Sequence, residues 1–272
     1  LSITPETLLN DASSTTASVS WSFNSGSEYF DGLAAGETLV LTYTITATDT
    51  GSPALSSATT ITITISGSND GPVLASPDII GLTDTADDDT FSPVSGQLQA
   101  SDLDHNAVLR YSLANQADDN SRVGYDLSQL GRFGTLYLNS STGTYLYVPL
   151  EAAIESLQQN SSETFSVRVS DGTASATQSL SVAITAGNDT PVLGTLTAIA
   201  LNDTAADDHF SDVIGTFTSV DRDGDAIVYA VAGQVSQITW IDGVFYSAKK
   251  TGTYGTLYLN ADNGAYRFVV ND

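Results

Sequence analysis

Closely spaced aspartates occur at two places in this chain, and the two places are related by a long repeat. Asp102 and Asp104 form an Asp-x-Asp motif, which returns 119 residues later as Asp221 and Asp223. Alternate carboxylates in one loop can turn toward a common point. A set of about six to eight oxygen ligands suits a hard cation that makes little geometric demand. The pattern therefore predicts calcium binding before magnesium binding.

A polar Asn-Asp pair accompanies each motif, and it repeats at the same offset. Asn69 and Asp70 return as Asn188 and Asp189, each pair lying two residues before a proline. Asp171 lies in an Asp-Gly turn that a β-sandwich places at the same end as the first motif. We expect one site to be formed by Asn69, Asp70, Asp102, Asp104 and Asp171.

The opposite end of the same repeat predicts a second site. There the acidic run 87–89 and Glu151 could meet the second Asn-Asp pair and the second Asp-x-Asp motif. The residues of this second set are Asp87, Glu151, Asn188, Asp189, Asp221 and Asp223.

The competing interpretation is that these acids are ordinary residues of solvated turns, where Asp is favoured. The net charge of −24, from 8 basic and 32 acidic residues, favours bound cations because the folded chain must offset its own repulsion. The same charge excludes nucleic acid and anionic membranes as partners, and no apolar run is long enough to insert into a membrane. There is no cysteine, so neither disulfides nor cysteine-based metal sites are possible.

The elements that must position these acids are short β-strands. Alternation of apolar residues with threonine or serine, as in 60–66 and 179–185, is typical of half-buried strands, and Asp-Gly, Thr-Gly and Asn-Gly turns separate them. Only 151–159 favours a helix. We predict an all-β chain of tandem antiparallel Ig-like or cadherin-like β-sandwiches joined by short acidic linkers. The predicted units are residues 1–68 (the later part of one repeat), 69–187 (a complete repeat) and 188–272 (the earlier part of a third).

Several segments resemble known families. The stretch 100–107, which contains the first Asp-x-Asp motif, is similar to the calcium-binding segment of cadherin repeats. Segment 46–56, leading to the first Asn-Asp pair, is similar to a cadherin closing strand and linker. Segments 33–39 and 254–260 resemble the VCBS repeats of very large bacterial surface adhesins of the RTX type, which are exported by type I secretion.

This resemblance implies a non-enzymatic, calcium-binding repeat segment of a secreted or cell-surface bacterial adhesin. Its role would be that of a calcium-rigidified spacer in adhesion or biofilm formation, with neighbouring repeats, surface glycans or other adhesin chains as partners. By the same resemblance, Asp87 stands where cadherins carry a glutamate ligand, and Glu151 stands where they carry the acid that follows a strand. Gly67 and Ala186 stand where cadherin linkers begin with aspartate, which implies fewer ions per junction.

Other chemistries fit less well. The segment 221–225 has its Gly two places too early for an EF-hand loop. A glycosidase would use one unrepeated carboxylate pair, whereas these acids lie in repeated turns. Trp240 and Tyr246 could form a platform on which a sugar ring stacks, so a carbohydrate-binding module is the alternative function. A hairpin that packs against the body of the domain would explain the same two aromatic residues. Trp21 aligns with a strand aromatic and is predicted to be a core residue.

Overall fold

The computed structural model describes residues 1–4 and 18–271 as an almost entirely β protein. The all-β class predicted from the sequence is confirmed. The predicted helix is shorter than expected, since α1 spans only Glu151–Ile154. In the described part of the chain, no helix combines the length and the apolar character needed to cross a bilayer.

The first part of the chain contains two antiparallel strand pairs. One is a long hairpin whose strands alternate in burial, as the apolar and threonine alternation predicts. Trp21 is 50% exposed, so the prediction that it is a core residue is wrong; among the described residues, its strand pairs with the three residues Ser2–Thr4. The strands are β1 (Ser2–Thr4), β2 (Ser20–Ser22), β3 (Thr38–Thr48) and β4 (Ser56–Ser66).

The central part has two larger sheets. Its strands are β5 (Val73–Leu74), β6 (Ile80–Thr83), β7 (Val94–Gln97), β8 (Ala100–Ser101), β9 (Arg110–Leu113), β10 (Ala117–Asp118), β11 (Leu127–Leu130), β12 (Gly134–Leu138), β13 (Thr144–Pro149), β14 (Ser161–Ser170) and β15 (Ser175–Thr185). One sheet has the order β10-β11-β12-β13-β7 and the other β6-β15-β14-β9. Strand β6 runs parallel to β15, while the other pairs are antiparallel.

The two central sheets enclose one hydrophobic core. Tyr147 and Phe165 lie on opposite sheets, are fully or almost fully buried, and meet edge to face with ring centroids 6.0 Å apart. Glu163 closes one edge, because its Oε1 accepts a hydrogen bond from the Tyr147 hydroxyl at 2.6 Å and its Oε2 accepts one from the Arg132 amide at 2.6 Å. The rigid sandwich thereby fixes the loops at both of its ends.

The last part of the chain repeats one of these sheets. Strand order β17-β22-β21-β20-β19 forms a five-stranded antiparallel sheet, and β16 pairs with β18. The strands are β16 (Val192–Leu193), β17 (Val213–Thr216), β18 (Ser219–Val220), β19 (Val235–Ile241), β20 (Val244–Thr251), β21 (Gly255–Leu259) and β22 (Ala265–Val270). The unit boundaries given above remain predictions.

Candidate metal centres

The first carboxylate cluster, defined by Asn69, Asp70, Asp102, Asp104 and Asp171, lies in loops at one end of the central sandwich. Asp102 directly follows β8, and its Oδ1 accepts the Asp104 amide at 3.0 Å, which folds the loop back on itself. Asp171 follows β14 and accepts the amides of Thr173 and Ala174, each at 2.6 Å. Gly172 has φ +100°, which the tight turn requires.

Hydrogen bonds tie the Asn-Asp segment to both loops. Asn69 donates from Nδ2 to Asp171 Oδ2 at 2.9 Å, and the Asp70 amide donates to Asp104 Oδ2 at 3.0 Å. The structure therefore brings together all five residues that the sequence predicted for this end.

Two carboxylate oxygens of the first cluster are buried without a hydrogen-bond partner, namely Asp102 Oδ2 and Asp104 Oδ1. Burial raises the pKa of Asp70, and the neighbouring carboxylates of Asp104, Asp31 and Asp102 raise it further. Unpaired buried carboxylates are costly, and a cation is the ligand that would offset this cost.

The second carboxylate cluster, defined by Asp84, Asp89, Glu155, Asp189 and Asp223, lies at the other end of the sandwich. Asp84 directly follows β6, and its amide donates to Thr185 of the parallel neighbour β15. One carboxylate oxygen from each of Asp84, Asp89 and Glu155 lies within 4.8 Å of the other two, a spacing suited to a shared metal ion.

The segment predicted to be the second linker contacts these groups. Asp189 is fully buried, and its amide donates to Asp223 Oδ2 at 2.6 Å. The Gly187 amide donates to Asp84 Oδ2 at 3.1 Å. Four carboxylate oxygens here are buried with no hydrogen-bond partner: Asp84 Oδ1, Glu155 Oε2, Asp189 Oδ2 and Asp223 Oδ1.

Repulsion between the carboxylates of the second cluster contributes to raised pKa values of Glu155 and Asp189. Burial raises the pKa of Glu155 to about 7; the carboxylates of Asp189 and Asp84 add to this, while the Asp89 amide and Arg222 oppose it. Burial also raises the pKa of Asp189, as do Asp84, Asp223 and Asp221, against the opposing effect of Arg222. The arrangement is therefore unfavourable for ionised carboxylates without a further positive charge.

A third acidic group adjoins the second cluster. One oxygen from each of Asp221, Asp223 and Asp225 falls within the same 4.8 Å limit. The turn is made by Gly224, with φ +74°, and the Asp225 amide donates to Asp221 Oδ1 at 3.1 Å. Gln158 donates to Asp225 Oδ1 and to the Asp223 carbonyl, each at 3.1 Å, which links this loop to the central sandwich.

Two residues predicted for the second site lie outside it. Asp87 and Glu151 are both exposed, and neither contributes to the groups of converging carboxylates. Glu155, the residue that follows the last residue of α1, is buried instead, and its amide donates to the Glu151 carbonyl at 3.0 Å. Asn188 adjoins the cluster, with its Nδ2 donating to the Asp189 carbonyl at 3.2 Å.

The residues missed by the sequence analysis are Asp84 and Glu155, while Asp89 was included only as part of an acidic run. Asp84 has a counterpart in Asp203 at the repeat offset of 119, and that recurrence could have identified it. Glu155 has no comparable signal, because its inward position depends on where a one-turn helix begins.

The two predicted aromatic ligand-binding residues do not share a surface. Trp240 is 66% exposed, whereas Tyr246 is 3% exposed and packs near Tyr258. In the β19–β20 pairing, Trp240 faces Phe245 and Thr239 faces Tyr246, so the two side chains lie on opposite faces of the sheet. They do not form one sugar-stacking platform.

Comparisons with known proteins give structural neighbours only. No protein-family model matches the chain, and no curated protein matches it. The chain is similar to protocadherin gamma B2 extracellular cadherin domains 1-5, at 20% identity and a TM-score of 0.38, covering 86% of this chain and 38% of that one. It is also similar to human CDH23 EC21-23, at 14% identity and a TM-score of 0.33, covering 79% of this chain and 59% of that one. The chain thus spans less than two thirds of either structure, and at this level the likeness does not define a function.

Proposed function

We propose that this chain is a calcium-binding, non-enzymatic spacer segment of an extracellular adhesion protein. The observation that supports it best is a set of six buried carboxylate oxygens without hydrogen-bond partners, divided between the first and second clusters. Buried polar atoms are nearly always hydrogen-bonded in native proteins, and these six are not, although one of them, Glu155 Oε2, lies 3.4 Å from Arg222 Nε; the two clusters therefore favour a bound cation.

The donor chemistry selects calcium among the common metals. The ligands available are carboxylate, amide and carbonyl oxygens, and neither cluster contains a histidine or cysteine, which zinc and the softer transition metals prefer. Magnesium demands a near-octahedral shell and retains its water, so it should fit a loop-built site less well. Asp102 and Asp104 would hold the ion at the first cluster, and Asp84, Asp89, Glu155, Asp189 and Asp223 at the second.

Position relative to the linkers explains how a cation would act. Asp70 and Asp189 belong to the linkers, and each is hydrogen-bonded to an aspartate about 34 residues later in the following repeat. At the second cluster a cation would neutralise carboxylates from both sides of a predicted boundary and hold adjoining repeats in one orientation. At the first cluster the carboxylates all follow the predicted boundary, and Asp31, whose charge raises the pKa of Asp70, precedes it. Without the cation the same charges repel, and the chain should bend at the linkers.

The wider setting is inferred from charge and from the sequence resemblance. A net charge of −24 and the absence of cysteine suit an extracellular repeat protein that obtains its rigidity from calcium. We propose a bacterial surface adhesin with a role in attachment or biofilms, in which neighbouring repeats are the immediate partners.

Calcium binding measured by equilibrium dialysis, with thermal melting in parallel, tests this function. The unaltered chain should bind more than one calcium ion, with affinity in the extracellular range on the order of 0.1–1 mM, and its melting temperature should rise. Asp104→Asn should reduce the number of ions bound, whereas Asp118→Asn, which removes an exposed aspartate of β10, should not. Absence of calcium binding by the unaltered chain would refute the proposal.

A further inference from the structure

One basic side chain, that of Arg222, lies within the second carboxylate cluster. Its Nη2 is 3.0 Å from Asp88 Oδ2, its Nη1 is 3.4 Å from Asp189 Oδ1, and its Nε is 3.4 Å from Glu155 Oε2. Each nitrogen of the guanidinium thus faces a different carboxylate. Two of those oxygens belong to side chains that are almost completely buried, on Glu155 and Asp189.

The ion pairs of Arg222 span the second linker. Asp88 and Glu155 precede the linker in sequence, Asp189 belongs to it, and Arg222 follows it. The pair with Asp88 is largely exposed and should contribute little. The contacts with Glu155 and Asp189 are shielded from water and should carry most of the interaction.

The first cluster has no equivalent cation. Leu103 occupies the position that corresponds to Arg222 at the repeat offset of 119, and it is 65% exposed. Within the part of the chain that the structure describes, no arginine or lysine forms an ion pair with Asp70, Asp102, Asp104 or Asp171.

We propose that Arg222 is a built-in counter-cation that makes the second cluster less dependent on calcium than the first. Without calcium, Arg222 partly neutralises the buried carboxylates and keeps the two sides of the linker in contact. With calcium present, its positive charge opposes the ion. The inference rests on the proposed calcium function and adds that the two junctions respond over different calcium concentrations.

Electrostatics gives the sign of the effect. Removal of the guanidinium leaves Glu155 and Asp189 without their counter-charge, so the calcium-free chain is destabilised and calcium gains a more negative site. These are two consequences of one electrostatic effect, which increases the calcium affinity of the folded chain. A unit charge about 4 to 6 Å from a divalent ion corresponds to a change of about ten- to thirtyfold in the dissociation constant, even at the dielectric constant of water.

The test uses the full chain carrying Asp102→Asn and Asp104→Asn, so that calcium dialysis reports mainly the second cluster. In this background, Arg222→Leu should bind calcium about ten- to thirtyfold more tightly and should melt at a lower temperature in chelator. The matched control is Arg168→Leu, which removes the same charge from an exposed position on β14 and should change neither quantity. If Arg222→Leu loses its β-sheet circular dichroism, Arg222→Gln replaces it.

The possible outcomes separate the two proposals. If the unaltered chain binds no calcium, the proposed function is refuted. If it binds calcium but Arg222→Leu and Arg168→Leu have the same calcium affinity and the same melting temperature in chelator, the role of Arg222 is refuted while the calcium function stands. A reciprocal Leu103→Arg in a chain with Asp84→Asn and Asp223→Asn should weaken the remaining site, and an unchanged affinity there would also count against the proposal.

Discussion

The backbone amide of Asp189 donates a hydrogen bond of 2.6 Å to Oδ2 of Asp223, leaving the other oxygen of that buried carboxylate unpaired. The same relationship occurs 119 residues earlier, where the Asp70 amide donates to Asp104 Oδ2 at 3.0 Å and Asp104 Oδ1 is unpaired. A linker aspartate therefore orients an Asp-x-Asp carboxylate twice in the chain. In each case the second oxygen is a candidate ligand for the proposed cation.

Because the two bonds are equivalent, Asp104→Asn and Asp223→Asn should each weaken calcium binding at one cluster only. The amide side chain can still accept the linker hydrogen bond but lacks the negative charge that calcium requires. We expect the double variant to lose most of the calcium-induced rise in melting temperature, while each single variant retains part of it. A single variant that abolished the whole response would show that the clusters do not act separately.

The pKa of Glu155 predicts an unusual pH dependence in the absence of calcium. Its pKa in the folded chain, about 7, lies above the ordinary value of 4.5, so between these pH values the folded state binds more protons than the unfolded state. The contribution of Glu155 to the free energy of unfolding therefore falls as pH rises from about 4.5 to 7. In metal-free buffer, Glu155→Gln should flatten this part of the melting-temperature profile, and a profile identical to that of the unaltered chain would contradict the prediction.

Gly172, which has a positive φ in the turn that holds Asp171, allows a test of how backbone conformation affects the first cluster. Gly172→Ala should weaken calcium binding at that cluster, because Ala at φ +100° is strained by about 1–2 kcal/mol and the turn that holds Asp171 would shift. An added Cβ meets no atom within 4 Å there, so steric clash does not contribute. Gly81→Ala on β6, which is equally open and has no positive φ, is the matched control and should bind calcium normally.

Glu163 should stabilise the central sandwich independently of calcium. Glu163→Ala leaves the Tyr147 hydroxyl and the Arg132 amide without their acceptor, which should cost about 2–4 kcal/mol. Urea unfolding should show the same loss in calcium and in chelator. A loss confined to the calcium-bound protein would instead place Glu163 in the metal response.

The carbohydrate-binding alternative predicts a change in tryptophan fluorescence on addition of glycans. Since Tyr246 is buried and Trp240 stands on the other face of the sheet, we expect no saturable quench from Trp240 across a broad glycan panel. Trp21→Phe removes the other tryptophan, so that emission reports Trp240 alone. Saturable quenching that Trp240→Phe abolishes would support a glycan site.

Alternation and turn residues in the sequence were sufficient to predict the β class, and the Asp-x-Asp motif, the Asn-Asp pair and the Asp-Gly turn predicted the five residues that meet in the first cluster. Asp102 and Asp171 lie directly after strands, with Asp104 two residues beyond Asp102, and strand ends are the features that alternation and turn residues define best. The second cluster was predicted less completely, because it depends on long-range pairing and on helix phase. Asp84 reaches the linker through the parallel pairing of β6 with β15, and Glu155 through the last residues of a one-turn helix. Neither relationship has a periodic signal in the sequence.

The face of the sheet on which Tyr246 lies could have been predicted from the alternation of its strand. The β20 segment alternates in burial through Phe245, Tyr246, Ser247 and Ala248, with Tyr246 and Ala248 inside. Trp240 pairs across the hairpin with Phe245, so alternation along β20 would have placed Tyr246 on the face opposite to Trp240. Proximity along the chain suggested a shared platform, but the pleat places the two rings on opposite faces.

Small-angle scattering of the full chain, recorded with 5 mM calcium (a concentration well above about 1 mM) and again with chelator, tests the central claim most directly. The proposed spacer should show a larger maximum dimension and a narrower distribution of shapes with calcium than without it. Magnesium at the same concentration should produce a much smaller change. Identical scattering in calcium and chelator would contradict the claim that cations at the two clusters hold the repeats in a fixed orientation.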